Sequence, residues 1–199
     1  MLKKEAKKIT GGLSKPSKMP GPAYNLPAWA CKTGAKLRKV PGSPCYGCYA
    51  FKGRYNFSNV QQALQRRLEA LESPLWVEAM VTLIKGQEFF RWHDSGDIQS
   101  EQHLKNIFEV CKLTPETKHW LPTQEREYLK DPEAVPANLI IRLSGSKIDG
   151  PSPKAWPWTS SVVTSSEART CPAPEQGNEC GSCRACWDKS TPNVAYGKH

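Results

Sequence analysis

The sequence predicts an α/β fold, a small, partial or truncated parallel βα barrel-like sheet with long cysteine-bearing loops at both ends. Segments of strand character begin at residues 88, 118, 138 and 160, and helical segments separate the first of them, a pattern typical of parallel βα units. The 199 residues are too few for eight such units, which take about 250 residues. Cysteines flank the alternating region on both sides.

The first part of the chain predicts an arm and a loop. Residues 1–22 are rich in Lys, Gly, Ser and Pro and predict a basic flexible arm with an extended backbone. Residues 23–199 then form a single domain, an iron–sulfur βα domain if the cysteines bind clusters as argued below. Its first part, residues 23–56, has no apolar periodicity and predicts a long loop that needs something besides a core to hold it.

Regular elements begin after this loop. Apolar residues at helical spacing predict a helix over residues 57–84, capped by Ser58 and broken at Ser73–Pro74. The remaining elements are predicted as a strand over 88–93, a helix over 100–113, a strand over 118–123, a short helix over 125–130, and strands over 138–143 and 160–164.

The charge is uneven along the chain. The net charge is +9, yet residues 1–54 hold twelve Lys and Arg and a single acid, Glu5, while the rest is close to neutral. A basic segment ahead of a neutral body indicates a polyanionic partner, with nucleic acid the obvious one. Two other interpretations remain: a solvated tail, or positive charge that offsets thiolates bound to a metal.

The C-terminal cysteines carry the strongest chemical signal. Cys171, Cys180, Cys183 and Cys186 form a C-x8-C-x2-C-x2-C run, which places three thiolates on one tight loop. Four cysteines hold either an iron–sulfur cluster or tetrahedral zinc. Zinc sites more often use two separate C-x2-C pairs, so we predict a [4Fe–4S] cluster, with zinc or no metal as alternatives.

A second set of cysteines lies near the other end of the chain. Cys31, Cys45 and Cys48 provide three ligands, as in a reactive cluster or a catalytic metal with an open position, and predict a second metal centre. A fourth ligand elsewhere remains open, and the histidines are the candidates: His93, His103, His119 and His199. Buried thiols are the alternative for this set, and core packing is the prediction for Cys111.

Polar residues follow three of the predicted strands. In parallel βα folds the carboxyl ends of the strands line the ligand site. We therefore predict catalytic roles for His93, Asp94 and Asp97. The residues predicted to bind substrate are Arg91, Ser95, Thr123, Gln124, Arg126, Arg142 and Ser144. Turn and helix-cap chemistry is the alternative for residues 94–97, and the two roles are compatible.

Three blocks of the sequence carry a family resemblance: CYGCYA with KGRY over residues 45–55, RWHDSGD over 91–97, and CPA with CGSCRACW over 171–187. Together they resemble the bacteriophage gene product 88 family over about residues 22–199, which implies a phage origin. More distantly, the first block is similar to phage proteins related to radical S-adenosylmethionine (SAM) enzymes. Their three-cysteine motif, typically C-x3-C-x2-C, holds a cluster with one iron open for SAM. Here thirteen residues separate Cys31 from Cys45.

Three functions follow as expectations. The first is an iron–sulfur redox or radical-SAM-like enzyme with its substrate site at the carboxyl ends of the strands, and SAM as a further cofactor candidate. The second is an iron–sulfur-stabilised module that binds nucleic acid or a host protein. The third is a zinc-stapled structural protein. The N-terminus lacks the apolar stretch of a secretory signal, which predicts the cytoplasm, that of the host for a phage protein, and no membrane partner.

Overall fold

A computed structural model describes residues 1–198 and shows an α/β fold built on one parallel sheet. Within the described residues six strands pair in sequential order, and each of these pairings is parallel. The sheet is open, as predicted for a partial barrel. Its strands are β1 (Ala23–Tyr24), β2 (Phe89–Trp92), β3 (Lys118–Thr123), β4 (Leu139–Ser144), β5 (Thr159–Val163) and β6 (Asn193–Gly197).

The helices lie mostly in the first half of the chain. They are α1 (Lys3–Thr10), α2 (Thr33–Leu37), α3 (Ser58–Ala70), α4 (Trp76–Ile84) and α5 (Glu101–Leu113). Short 3-10 helices span Ala28–Ala30, Tyr49–Phe51, Gly53–Asn56, Arg126–Tyr128, Pro132–Ala134, Ala173–Gln176 and Ala185–Trp187. Within residues 1–198 no helix has the length and apolar character needed to cross a bilayer.

Most predicted elements are confirmed. The break at Ser73–Pro74 separates α3 from α4, and β2 to β5 and α5 lie where the apolar patterns placed them. One detail is wrong: Phe57 is the N-cap of α3, and Ser58 already lies inside the helix. The strands β1 and β6 were not predicted: β1 has only two residues, and β6 is bounded by Asn193 and Gly197, residues that favour turns over strands.

The N-terminal segment corrects the prediction of an extended arm. Lys3–Thr10 form α1, which packs on α4 and buries Ala6 completely. Its carboxyl end is fixed by the Tyr24 hydroxyl, which lies 2.7 Å from the Thr10 carbonyl oxygen and 3.0 Å from that of Arg67. The lysines of α1 remain exposed on its outer side.

The two faces of the sheet have different covers. Side chains alternate along a strand, so Phe90 faces the main core with α4 and α5, while Phe89 faces the opposite side. A parallel sheet needs both faces covered. Trp187, from the C-terminal cysteine segment, covers the second face, with its ring 5.3 Å from Phe89 and 5.1 Å from Trp120.

Candidate functional site

The first cysteine set lies in the long loop that follows β1. Cys31 comes after the 3-10 helix Ala28–Ala30, and Cys45 and Cys48 are joined by a tight turn in which the Cys48 amide donates to the Cys45 carbonyl at 3.1 Å. A Cβ atom at Gly34 would lie 3.6 Å from the Cys31 sulfur and 3.9 Å from the Cys45 sulfur. The absence of that atom leaves room beside both sulfurs.

Glu125 fastens this loop to the sheet. Its carboxylate follows β3, is completely buried, and accepts hydrogen bonds from the amides of Lys32 and Thr33 at 3.1 and 2.8 Å. The Thr33 hydroxyl donates a third bond at 2.6 Å. Because Lys32 is the N-cap and Thr33 the first residue of α2, the carboxylate caps that helix from across the molecule and holds Cys31 at the carboxyl edge.

Asp97 lies in the same place, after β2. Its oxygens accept from the Thr123 hydroxyl at 2.6 Å and from the amides of Gln124 and Ile98 at 2.8 Å. Burial raises the pKa of Asp97 to about 7, although these hydrogen bonds act to lower it. A carboxyl group with a pKa near neutrality is suited to proton transfer. Its charge also acts on the thiols of Cys31 and Cys45.

Cys31 and Cys45 are thiols in the absence of a metal. Burial raises the pKa of Cys31, and neighbouring negative charge adds to the effect. Burial likewise raises the pKa of Cys45 to about 11, with a further contribution from Cys48. Metal binding here therefore has to release protons, which makes it dependent on pH.

The loop over residues 94–97 serves as a structural turn as well as a candidate site. Asp94 pairs with the Arg91 guanidinium at 3.2 Å and accepts from the Tyr55 hydroxyl at 2.8 Å. The Tyr49 hydroxyl donates to the Asp94 carbonyl oxygen. Ser95 is buried, and its hydroxyl donates to the Leu26 carbonyl at 2.9 Å. This loop thus fixes the cysteine loop and the turn after β1 to β2.

His93 packs its side chain against a histidine of α5. Its backbone has a positive φ of 59°, and its buried ring lies 5.3 Å from the ring of His103 on α5. Burial lowers the pKa of His93 well below its usual value, so its ring is neutral. Within the part of the chain that the structure describes, neither ring nitrogen has a hydrogen-bond partner.

The second cysteine set, Cys171, Cys180, Cys183 and Cys186, lies on the face of the sheet opposite the main core. The Cys180 amide donates to the Lys18 carbonyl at 2.9 Å, and the Cys171 amide to the Ala195 carbonyl in β6 at 3.0 Å. The Cys186 sulfur lies 3.1 Å from the Tyr196 hydroxyl. Burial raises the pKa of Cys186 to about 11. Cys171 interacts electrostatically with both Cys180 and Cys186, so the set faces one common region.

Arg91 lies between the two cysteine sets. Its charge acts on Cys180 and Cys186 on one side, and it pairs with Asp94 on the other. The guanidinium stacks 4.4 Å above the ring of Trp120. Among the described residues, the buried donors Arg91 Nε and Trp120 Nε1 have no acceptor. Unpaired buried donors beside cysteines fit an anionic group, as a thiolate-bound cluster is.

Arg142 organises the end of the cysteine segment. It is fully buried in β4, and its nitrogens donate to backbone carbonyls up to fifty residues away. Nη2 donates to Ala185 at 2.7 Å and Asp188 at 3.0 Å, and Nε to Cys186 at 3.2 Å. Nη1 lies within 3.5 Å of the carbonyls of Thr159, Thr191 and Pro192. The substrate role of Arg142 stays a prediction; its observed partners are all backbone carbonyls.

The remaining predicted site residues differ in position. Thr123 and Gln124 join Asp97, and Gln124 donates to the Gly145 carbonyl at 3.0 Å while its own buried Oε1 has no partner in residues 1–198. Ser144 lies 3.1 Å from Ser160, and Arg126 is exposed. The candidate fourth ligands His103 and His119 are buried beside Trp76 and Trp92 in the main core, and His199 lies outside the described residues.

Cys111 is fully buried on α5, as predicted for a core residue.

Among residues 1–198 no three His, Cys, Asp or Glu side chains are arranged to hold a metal ion. Ligands of a tetrahedral zinc lie only about 3.8 Å apart, given Zn–S bonds of about 2.3 Å. A four-iron cluster is a larger object with more widely spaced thiolates.

Sequence reasoning missed four residues that shape the site. Glu125, Tyr49 and Tyr55 hold the first cysteine loop, and Tyr196 touches the second set. The strand-end signal at Thr123 and Gln124 extends naturally to Glu125. The tyrosines carry no such local signal, because their partners lie 10 to 45 residues away.

Comparisons with known proteins give one match. A family model described as Gene product 88 matches residues 1–189, a range that contains both cysteine sets. No curated protein and no solved structure matches the chain.

Proposed function

The chain belongs to the Gene product 88 family of phage proteins, and from this premise we propose that it is an iron–sulfur redox enzyme. Its reactive centre is the set Cys31, Cys45 and Cys48. Its substrate site is the carboxyl edge of the sheet around Asp97 and Gln124. The set Cys171, Cys180, Cys183 and Cys186 holds a second, [4Fe–4S] cluster that supports the fold or relays electrons.

One observation carries the proposal. Cys31 is fixed at the carboxyl edge by Glu125, next to the buried Asp97, so a three-cysteine set and a proton-transfer group occupy the end of the sheet where parallel βα folds bind ligands. Three protein thiolates leave one coordination position of a cluster open to an exogenous ligand.

Each residue then has a role that its contacts support. A bound cluster supplies or removes single electrons. Asp97 exchanges a proton with substrate. The unpaired Gln124 Oε1 accepts a hydrogen bond from the substrate. Arg91 neutralises negative charge between the two cysteine sets, and Tyr49 and Tyr55 hold the Asp94 turn against the first cysteine loop.

The four-cysteine set is tested by metal analysis. Protein purified without oxygen is expected to be brown, to absorb near about 400 nm, and to hold about four irons in this set. Cys180→Ser with Cys183→Ser should remove these irons and loosen residues 165–192, since metal binding supplies folding free energy to a segment with few apolar residues. Cys111→Ser is the matched control and should keep all iron. Colourless protein with stoichiometric zinc would refute the cluster.

The three-cysteine set is tested by a variant that alters space and leaves every thiol in place. In Gly34→Ala the new Cβ lies 3.1 Å from the Cys31 Cβ and beside both sulfurs, while alanine favours the helix α2. We expect iron per chain to fall as it does in Cys45→Ser with Cys48→Ser, with no loss in thermal stability of the metal-free protein. Unchanged iron in the double serine variant would make these cysteines structural thiols.

The type of redox chemistry is tested on the loaded protein. Titration with SAM should perturb the electron paramagnetic resonance spectrum of the reduced protein if SAM fills the open position. A spectrum that SAM does not change, in a protein that still cycles between two oxidation states, would favour electron transfer without SAM.

A further inference from the structure

Exposed aromatic side chains concentrate around the first cysteine set. Four aromatic residues in the described part of the chain are exposed, Trp29 (43%), Tyr46 (56%), Tyr49 (45%) and Phe57 (57%), and all lie between residues 29 and 57. A soluble protein tends to bury such rings, and a local concentration of them marks an interaction surface.

The same segment is strongly basic. It contains no acidic residue over positions 23–57, and all its cations are exposed: Lys32, Lys36, Arg38, Lys39, Lys52 and Arg54. The cations lie among the aromatic rings. The Arg38 guanidinium is 4.2 Å from the centre of the Phe51 ring, and Lys52 Nζ approaches the Tyr46–Cys48 turn at Gly47. This charge is complementary to a polyanion.

A groove continues this surface along α3. It has a volume of about 400 Å³, and Trp29 forms one wall. The other wall is the outer side of α3, with Gln61, Arg66, and Gln65, whose amide donates to Glu69 at the end of the groove. An indole ring opposite amide groups and a guanidinium offers stacking, hydrogen bonding and a phosphate contact within one groove, which are the three interactions that a nucleotide makes.

We propose that this aromatic–basic face, formed by residues 29–57 and the outer side of α3, binds single-stranded nucleic acid. Bases stack on the exposed rings while the cations contact the phosphates. A duplex hides its bases from such rings, so the single strand is the form that fits. The inference rests on the proposed function in one respect: it names the substrate class brought to Cys31, Cys45 and Cys48. Binding itself needs only the surface.

The test is fluorescence anisotropy with labelled 20-nucleotide dT and U strands and a 20-base-pair duplex, at 50 and 200 mM salt. Both single strands should bind more tightly than the duplex. With three or four phosphates engaged, the log–log salt slope should be about −2 to −3. Lys52→Ala with Arg54→Ala should reduce its magnitude by about 1.4. Tyr46→Ala with Phe57→Ala should weaken binding at least about tenfold.

Two matched controls separate this face from other surfaces. Lys85→Ala with Leu113→Ala removes an exposed cation and an exposed apolar side chain at the opposite, amino end of the sheet, and should leave affinity unchanged. A variant with Lys3→Gln, Lys4→Gln, Lys7→Gln and Lys8→Gln removes the charge of α1 and keeps the helix that buries Ala6. It should also have little effect on affinity. Loss of binding in this last variant alone would overturn the inference.

Iron content is measured on the same preparations. The experiment therefore distinguishes failure of the redox-enzyme proposal from failure of the nucleic-acid-binding proposal. Iron retained with no binding to either single strand at 50 mM salt overturns this inference and leaves the redox enzyme. Binding retained in protein that never holds iron overturns the redox enzyme and leaves this face. Duplex binding equal to single-strand binding, with no effect of Tyr46→Ala and Phe57→Ala, overturns base stacking and thus the inference.

Discussion

Replacing Arg142 with Met is expected to lower the free energy of unfolding by about 4 kcal/mol, one of the largest effects of any single substitution in this chain. The guanidinium is fully buried and bonds six backbone carbonyls, four of them from residues 185–191. Methionine fills much of the same volume but removes every hydrogen bond that the guanidinium donates, whereas the carbonyls of Ala185, Asp188 and Pro192 keep a backbone donor. Urea unfolding at neutral pH measures the loss.

The same variant tests the link between fold and cluster. Because the carbonyl of Cys186 is among the partners of Arg142, the variant should also lose iron from the C-terminal set. Arg142→Lys should be intermediate, since an ammonium group has three donors and no planar fork. Arg126→Met removes an exposed arginine and should stay within about 0.5 kcal/mol of the parent. An unfolding midpoint of Arg142→Met equal to the parent would contradict the assignment.

Gly96→Ala is expected to destabilise the protein by about 3 kcal/mol and to disturb the carboxyl edge. Gly96 has a φ of +80°, and a Cβ there would lie 2.5 Å from the Leu26 Cβ and 2.7 Å from the Leu26 carbonyl oxygen. The substitution therefore combines backbone strain with a clash against buried backbone. The loop must move, and it carries Asp97, so iron at the three-cysteine set should fall as well.

A second glycine separates the two causes. Gly86 has a similar φ of +84°, and nothing lies within 4 Å of a Cβ placed there. Gly86→Ala should therefore cost only the strain, about 1 to 2 kcal/mol, and should keep its iron. Thermal unfolding and iron analysis of both variants make the comparison. Equal losses of stability in the two variants would show that the contact with Leu26 does not contribute to the destabilisation by Gly96→Ala.

Much of the fold follows from local pattern. The continuous apolar run at the start of Leu139–Ser144 reports burial on both faces of the sheet, and the helical spacing of Glu101–Leu113 reports burial on one side of a helix. Both elements were predicted nearly to the residue. The helix α1 was missed because Lys residues dominate its sequence and only Ala6, Ile9 and Thr10 face the protein. The lysine-rich composition reflects the exposed side of α1, whereas formation of the helix depends on its buried side.

The sequence by itself determined the strand and helix alternation, the parallel sheet, the two cysteine sets and the basic segment around the first of them, because spacing and composition are local properties. Only the tertiary structure decided which distant groups meet. Arg142 reaches Ala185 across 43 positions, and Glu125 reaches Thr33 across 92. Such contacts depend on the order and pairing of strands, where burial strengthens each hydrogen bond and makes an unpaired group costly. No local pattern along the chain records them.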